Sequence, residues 1–198
     1  PPVSFPLRYR HVPCSEWLAN SGNKRMLNRM QPADNETYRK ALDSALRILS
    51  RRDHSILELH KKLEARGFLE EHIRRVVAEC RRLGYLDDER AAHALIERFK
   101  YKGCGARRIR FELRQSGLSG DHIVGLLQKR LSSEEELGLA RRALERKLKT
   151  CPTTEAALTL KGRLYRFLFG RGFSESAIRA ALDELSTIQR KDPSGSAG

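Results

Sequence analysis

The sequence predicts an all-α chain of three tandem three-helix repeats forming an elongated, curved array. Two observations carry this. Apolar residues recur at fixed intervals around a glycine: Leu59, Leu63, Gly67 and Ile73, then Ile109, Leu113, Gly117 and Ile123, then Leu164, Leu168, Gly172 and Ile178. Between these landmarks apolar residues keep helical spacing, and no segment alternates with period two long enough to read as a strand.

The opening helix of the first repeat carries Ala41, Leu42, Ala45, Leu46 and Leu49. Its counterparts are Ala91, Ala92, Leu95, Ile96 and Phe99, then Leu139, Ala140, Ala143, Leu144 and Leu148. The second helix of each repeat ends at the repeat glycine, the residue that enters the left-handed region most easily after a helix. The third helix is expected to start at Glu70, Ser119 or Ser174. Its buried face is Ile73, Val76, Val77, Cys80 and Leu83 in the first copy. In the third copy it is Ile178, Ala181, Leu182, Leu185 and Ile188, and the middle copy offers Ile123, Leu126 and Leu127. Ser55 with Glu58 and Ser133 with Glu136 have capping-box spacing. Asp87 and Asp88 suit a helix start, and Gly84 closes the helix before them. The repeats are placed at 37–86, 87–131 and 132–189. Units of this size bury little surface alone, so neighbours are expected to share apolar contacts.

Residues 1–36 are proline-rich and lack apolar periodicity; they are expected to be a poorly ordered extension, with Met26 or Met30 as the native start. Residues 190–198 are expected to be a disordered tail. The 198 residues carry a net charge of +14, with a sequence pI near 10.1. The net charge is +2 over 1–36, +5 over 37–86, +4 over 87–131 and +3 over 132–198, so the excess runs along the whole array. A long basic surface suits a long acidic partner such as a nucleic acid or a nucleoprotein filament. No apolar stretch is long enough to span a membrane. Cys14, Cys80, Cys104 and Cys151 form no CxxC pair, and a reducing compartment is expected. Cys80 aligns with Leu185 and is assigned to the core.

The first repeat carries Ala45-Leu46, Leu49, Arg52, His54-Ser55, Glu58-Leu59, Lys62-Leu63 and Gly67. The second carries Gly84-Tyr85-Leu86-Asp87-Asp88-Glu89-Arg90-Ala91, Gly103-Cys104-Gly105, Ile109 and Glu112-Leu113. The third carries Lys161, Leu164, Leu168, Arg171-Gly172-Phe173 and Ile178. In this order they resemble the RecX family of bacterial recombinase regulators, over about residues 38–188. The chain departs from the family pattern in its long N-terminal extension and at Ala92-His93, where bulkier residues are usual. The resemblance implies three tandem three-helix repeats and a non-enzymatic, cytoplasmic regulator. Such a protein binds the RecA–DNA filament and inhibits RecA ATPase, strand exchange and coprotease functions.

The candidate binding residues are basic rows on the three second helices: Lys61, Lys62 and Arg66; Arg107, Arg108, Arg110 and Arg114; Lys161, Arg163, Arg166 and Arg171. Arg107, Arg110 and Arg114 share one helix face, away from Ile109 and Leu113. Guanidinium groups suit both phosphates and carboxylates. The expected partners are the RecA filament and, as a second reading, DNA bound directly and without sequence preference by helix-turn-helix-like units. A monomer is expected, with no catalytic residue, metal or cofactor. Tyr85, Asp87 and Asp88 read as packing and capping. His54, His60, His72, His93 and His122 lack ligand spacing and are expected at surfaces or interfaces.

Overall fold

Three glycines one repeat apart turn the chain in the same way. Gly67, Gly117 and Gly172 have φ of 81°, 74° and 79°. The residue after each sends its N–H back to the leucine five positions earlier: Phe68 to Leu63 at 3.4 Å, Leu118 to Leu113 at 2.9 Å and Phe173 to Leu168 at 3.2 Å. This 6→1 bond satisfies a carbonyl at a helix end and carries an apolar side chain back toward the core. The glycine–apolar pair of the sequence repeat is therefore a helix stop.

The computed structural model describes residues 32–150 and 157–191. Among these, nine helices and no strand are present: α1 Pro32–Leu49, α2 Ile56–Glu64, α3 Glu70–Arg82, α4 Asp88–Tyr101, α5 Ala106–Gln115, α6 Asp121–Arg130, α7 Ser133–Leu148, α8 Ala157–Gly170 and α9 Glu175–Lys191. Helix α1 begins five residues before the expected repeat start, and α9 extends past 189. The expectations for residues 1–31 and 192–198 lie outside the described residues.

The chain divides into two compact units, residues 1–91 and 92–198. The second and third repeats thus share one unit. In the first unit Tyr38, Leu42 and Ala45 of α1 meet Leu59 and Leu63 of α2, Ile73, Val76 and Cys80 of α3, and Leu86 after it. Cys80 is fully buried as expected, and burial pushes its thiol up to about 12, so it acts as a small apolar residue. In the second unit Leu95, Ile96, Ile109, Leu113, Ile123, Leu127, Leu139, Ala140, Leu144, Leu164, Leu168, Phe173 and Ile178 are buried.

The helix starts correct several expectations. Ser55 caps α2 through the Glu58 N–H at 3.1 Å as expected, and the Glu58 carboxylate also pairs with Arg52 at 2.9 Å. The capping box of α7 uses Ser132 and Glu135, one residue before the expected pair. Helix α6 starts at Asp121 rather than Ser119. Asp87 caps α4 through the N–H groups of Glu89 and Arg90. Asp88 instead reaches back across the repeat boundary, where its Oδ1 accepts the Ile56 N–H, the first of α2, at 2.9 Å.

Glu136, the residue displaced from the expected capping box, does the same one repeat later. Its Oε1 accepts the Ala106 N–H, the first of α5, at 2.8 Å. Here the carboxylate also accepts the Ser174 N–H at 3.1 Å and its hydroxyl at 2.7 Å, just ahead of α9. A negative charge at a helix start meets unpaired N–H groups and the positive end of the helix dipole. In both cases the opening helix of one repeat supplies a carboxylate to the second helix of the repeat before it.

Candidate functional site

Helix α5 starts where its main chain touches the end of α8. The Gly105 N–H donates to the Arg171 carbonyl at 3.0 Å, and the Arg107 N–H donates to the Gly172 carbonyl at 2.9 Å. This closeness requires glycine on both sides. A Cβ on Gly105 would overlap main-chain atoms of Phe173 and lie 2.5 Å from the Gly172 oxygen. A Cβ on Gly172 would lie 2.5 Å from the Arg108 nitrogen. The junction joins two of the three basic rows.

On α5 the buried Ile109 and Leu113 fix the helix rotation, leaving Arg107, Arg110 and Arg114 exposed as the spacing predicted. Arg110 and Arg114 have no ion-pair partner among the described residues. Arg108 pairs with Glu112 at 2.5 Å and lies over the Phe111 ring, 5.5 Å from its centroid. Arg107 lies over the Phe169 ring of α8 at 4.2 Å. Phe169 in turn stacks with Tyr165 one turn earlier, with centroids 6.2 Å apart and ring planes 13° apart. Arg166 is exposed on the same helix.

The other residues of the α8 row have different roles. Lys161 stands 3.5 Å from Asp183, and Arg163 is half-buried. Arg171 turns inward, donating to the carbonyls of Lys102 at 2.8 Å and Gly103 at 3.3 Å, with its guanidinium 4.7 Å from the Phe167 centroid. Arg171 therefore holds the α4–α5 turn against α8.

The α2 row belongs to the first unit. Lys61 is exposed. Arg66 reaches the Ser44 carbonyl and hydroxyl. Lys62 donates to His54 Nε2 at 2.9 Å, and His54 Nδ1 meets the Arg52 carbonyl at 2.9 Å. Two histidines expected at surfaces, His54 and His72, are buried, whereas His122 is exposed. A partner at each ring nitrogen lets His54 tolerate burial; His72 is buried with its Nδ1 lacking a hydrogen-bond partner among the described residues.

Burial, reinforced by the Arg52 charge, holds the His54 ring below its ordinary value of 6.5. Lys62 is likewise lowered, first by desolvation. The unfolded chain takes up the His54 proton first as pH falls. Stability from neutral His54 is thus fully present above about pH 6.5 and is lost as pH drops through that value toward the lower folded one. Urea midpoints measured from pH 7.5 to 5 should fall, and His54→Gln should flatten part of that slope. An unchanged slope would remove His54 from the account.

Sequence reasoning missed Tyr165, Phe169 and Glu136. The aromatic pair was legible as an i, i+4 spacing inside a basic helix; Glu136 was hidden because it fits a local cap equally well. Among the described residues no group of three potential ligands stands ready for a metal, and no helix is long and apolar enough to cross a membrane.

Comparison with known proteins identifies the repeats. Family models for the first, second and third three-helix domains of RecX match residues 41–80, 87–124 and 134–182. The regulatory protein RecX of Legionella pneumophila is 35% identical over 148 residues, which are 75% of this chain and 96% of that protein. The regulatory protein RecX of Vibrio parahaemolyticus is 36% identical over 140 residues, 71% of this chain and 88% of that one. The crystal structure of RecX from Lactobacillus salivarius shares the fold with a TM-score of 0.65 at 19% identity, covering 77% of this chain and 99% of that one.

Proposed function

Because the chain belongs to the RecX family of regulatory proteins, we propose that it binds the RecA–DNA filament and inhibits RecA ATPase, strand exchange and coprotease functions. It does so as a cytoplasmic monomer, without catalysis. The observation that supports this most is the exposed row Arg107, Arg110 and Arg114 on α5, continued by Arg166 on α8. Arg110 and Arg114 have no ion-pair partner among the described residues, which suits both guanidinium groups to carboxylates or phosphates of a filament. Lys61 on α2 offers a further exposed cation.

The test is RecA ATP hydrolysis on single-stranded DNA with substoichiometric full-length protein. Inhibition is expected well below one molecule per RecA. Reversing two charges with Arg110→Glu and Arg114→Glu should raise the concentration for half inhibition by roughly 10- to 100-fold, the equivalent of losing two charge-assisted contacts. Helix α5 should remain folded, since both positions face solvent. Undiminished inhibition by the double variant would take α5 out of the interface. The second reading, binding to DNA alone, predicts a steep fall in affinity with salt and no need for RecA.

A further inference from the structure

We infer that Tyr165, Phe169 and Arg107 form a stacking platform for the unpaired bases of a single-stranded nucleic acid. This goes beyond the RecA reading and does not rest on it, since the contact needs no recombinase. Phe169 is 47% exposed, and its ring stacks with that of Tyr165. Its ring continues the Tyr165 ring nearly in parallel, and the flat Arg107 guanidinium lies over it. A ladder of two rings and a guanidinium offers what nucleobases use on each other: broad polarisable faces, here beside positive charge.

The surroundings suit a strand. Arg110 and Arg114 extend from Arg107 along α5, and Arg166 stands beside Tyr165 on α8. All three are exposed and free of ion pairs among the described residues, so they are available to phosphates. Phe111, 51% exposed, adds a second aromatic surface one turn from Arg107. The end of the ladder is open. One turn before Tyr165, on its side of the helix, stands Gly162, where an added Cβ would meet nothing within 4 Å. Glycine disfavours a helix interior, and packing does not require it there. Its absent side chain leaves space beside Tyr165 for a base. A duplex keeps its base faces stacked on one another, so the platform discriminates between single and double strands.

The test measures full-length protein binding to a labelled oligothymidylate and to a labelled duplex of equal length at one salt concentration. Tyr165→Ala with Phe169→Ala should weaken single-strand binding by roughly 10- to 100-fold and change duplex binding by less than about twofold. Gly162→Leu, which fills open space and leaves the core intact, should weaken single-strand binding in the same selective way. Trp17 is the chain's one tryptophan. In a Trp17→Phe background, Phe169→Trp should retain single-strand binding, and its emission should be quenched on adding oligothymidylate. Equal losses on both nucleic acids, no loss with any variant, or unquenched emission at saturation would each overturn the platform. RecA inhibition by the same variants is a separate readout. Its loss with single-strand affinity intact would assign these rings to a protein contact and overturn the inference, leaving the regulatory reading in place.

Discussion

Gly105→Ala is expected to unfold the second unit or to leave it without its native helix arrangement. One methyl group is a small change in most settings, but here it enters the space of the facing main chain. Its Cβ would overlap backbone atoms of Phe173 and press on the Gly172 oxygen at 2.5 Å, a separation that real Cβ atoms do not show. Side chains yield by changing rotamer; main chain held at both ends by hydrogen bonds does not. Relief requires α5 and the end of α8 to separate, which breaks the Gly105–Arg171 and Arg107–Gly172 bonds and uncovers buried Phe173. The cost should exceed about 3 kcal/mol, at the upper end of single-substitution effects. Gly172→Ala should be at least as severe, because it meets the Arg108 backbone and also imposes a left-handed residue at φ 79°. Gly67→Ala is the matched control: its φ is 81°, but a Cβ there meets nothing, so only the backbone penalty of about 1–2 kcal/mol applies. Thermal melts followed by circular dichroism should rank Gly67→Ala well above the other two. Equal melting temperatures for Gly67→Ala and Gly105→Ala would show that the junction is looser than these contacts require.

Glu136→Ala should be the second largest loss. The side chain is 6% exposed and accepts three hydrogen bonds, one at the start of α5 and two from the residue ahead of α9. Its removal leaves the Ala106 and Ser174 N–H groups without their acceptor in a partly buried junction and removes a favourable charge from two helix starts. A loss of about 3 kcal/mol follows from charge-assisted bonds that act as one unit. For a unit of about this size the midpoint should fall by roughly 10–20 °C. Glu136→Gln keeps one acceptor oxygen but turns an NH₂ group toward donors, so it should recover only part of the loss. Asp88→Ala, which removes a single bond at the start of α2, should cost less than Glu136→Ala. If Glu136→Gln matched the parent protein, shape rather than charge would explain the conservation of this geometry between the two repeat boundaries.

Helices, repeat and buried faces were all legible in the residue pattern. A glycine four residues after a buried leucine and six before an isoleucine leaves few alternatives, because a left-handed helix stop and a helical apolar stripe are local requirements. The same rule told which arginines of α5 face solvent, since Ile109 and Leu113 must be buried. Contacts between repeats emerge only once the helices are packed. Whether Glu136 caps its own helix or two others depends on residues 30 and 38 positions away, and both choices satisfy the same local pattern. Arg171 looked like a member of a binding row, but carbonyls of Lys102 and Gly103, far away in sequence, claim its guanidinium. Arg107 and Phe169 lie on helices of different repeats and meet only because two glycines let the main chains touch. Helix periodicity records which side of an element is buried; it carries no record of which other element buries it.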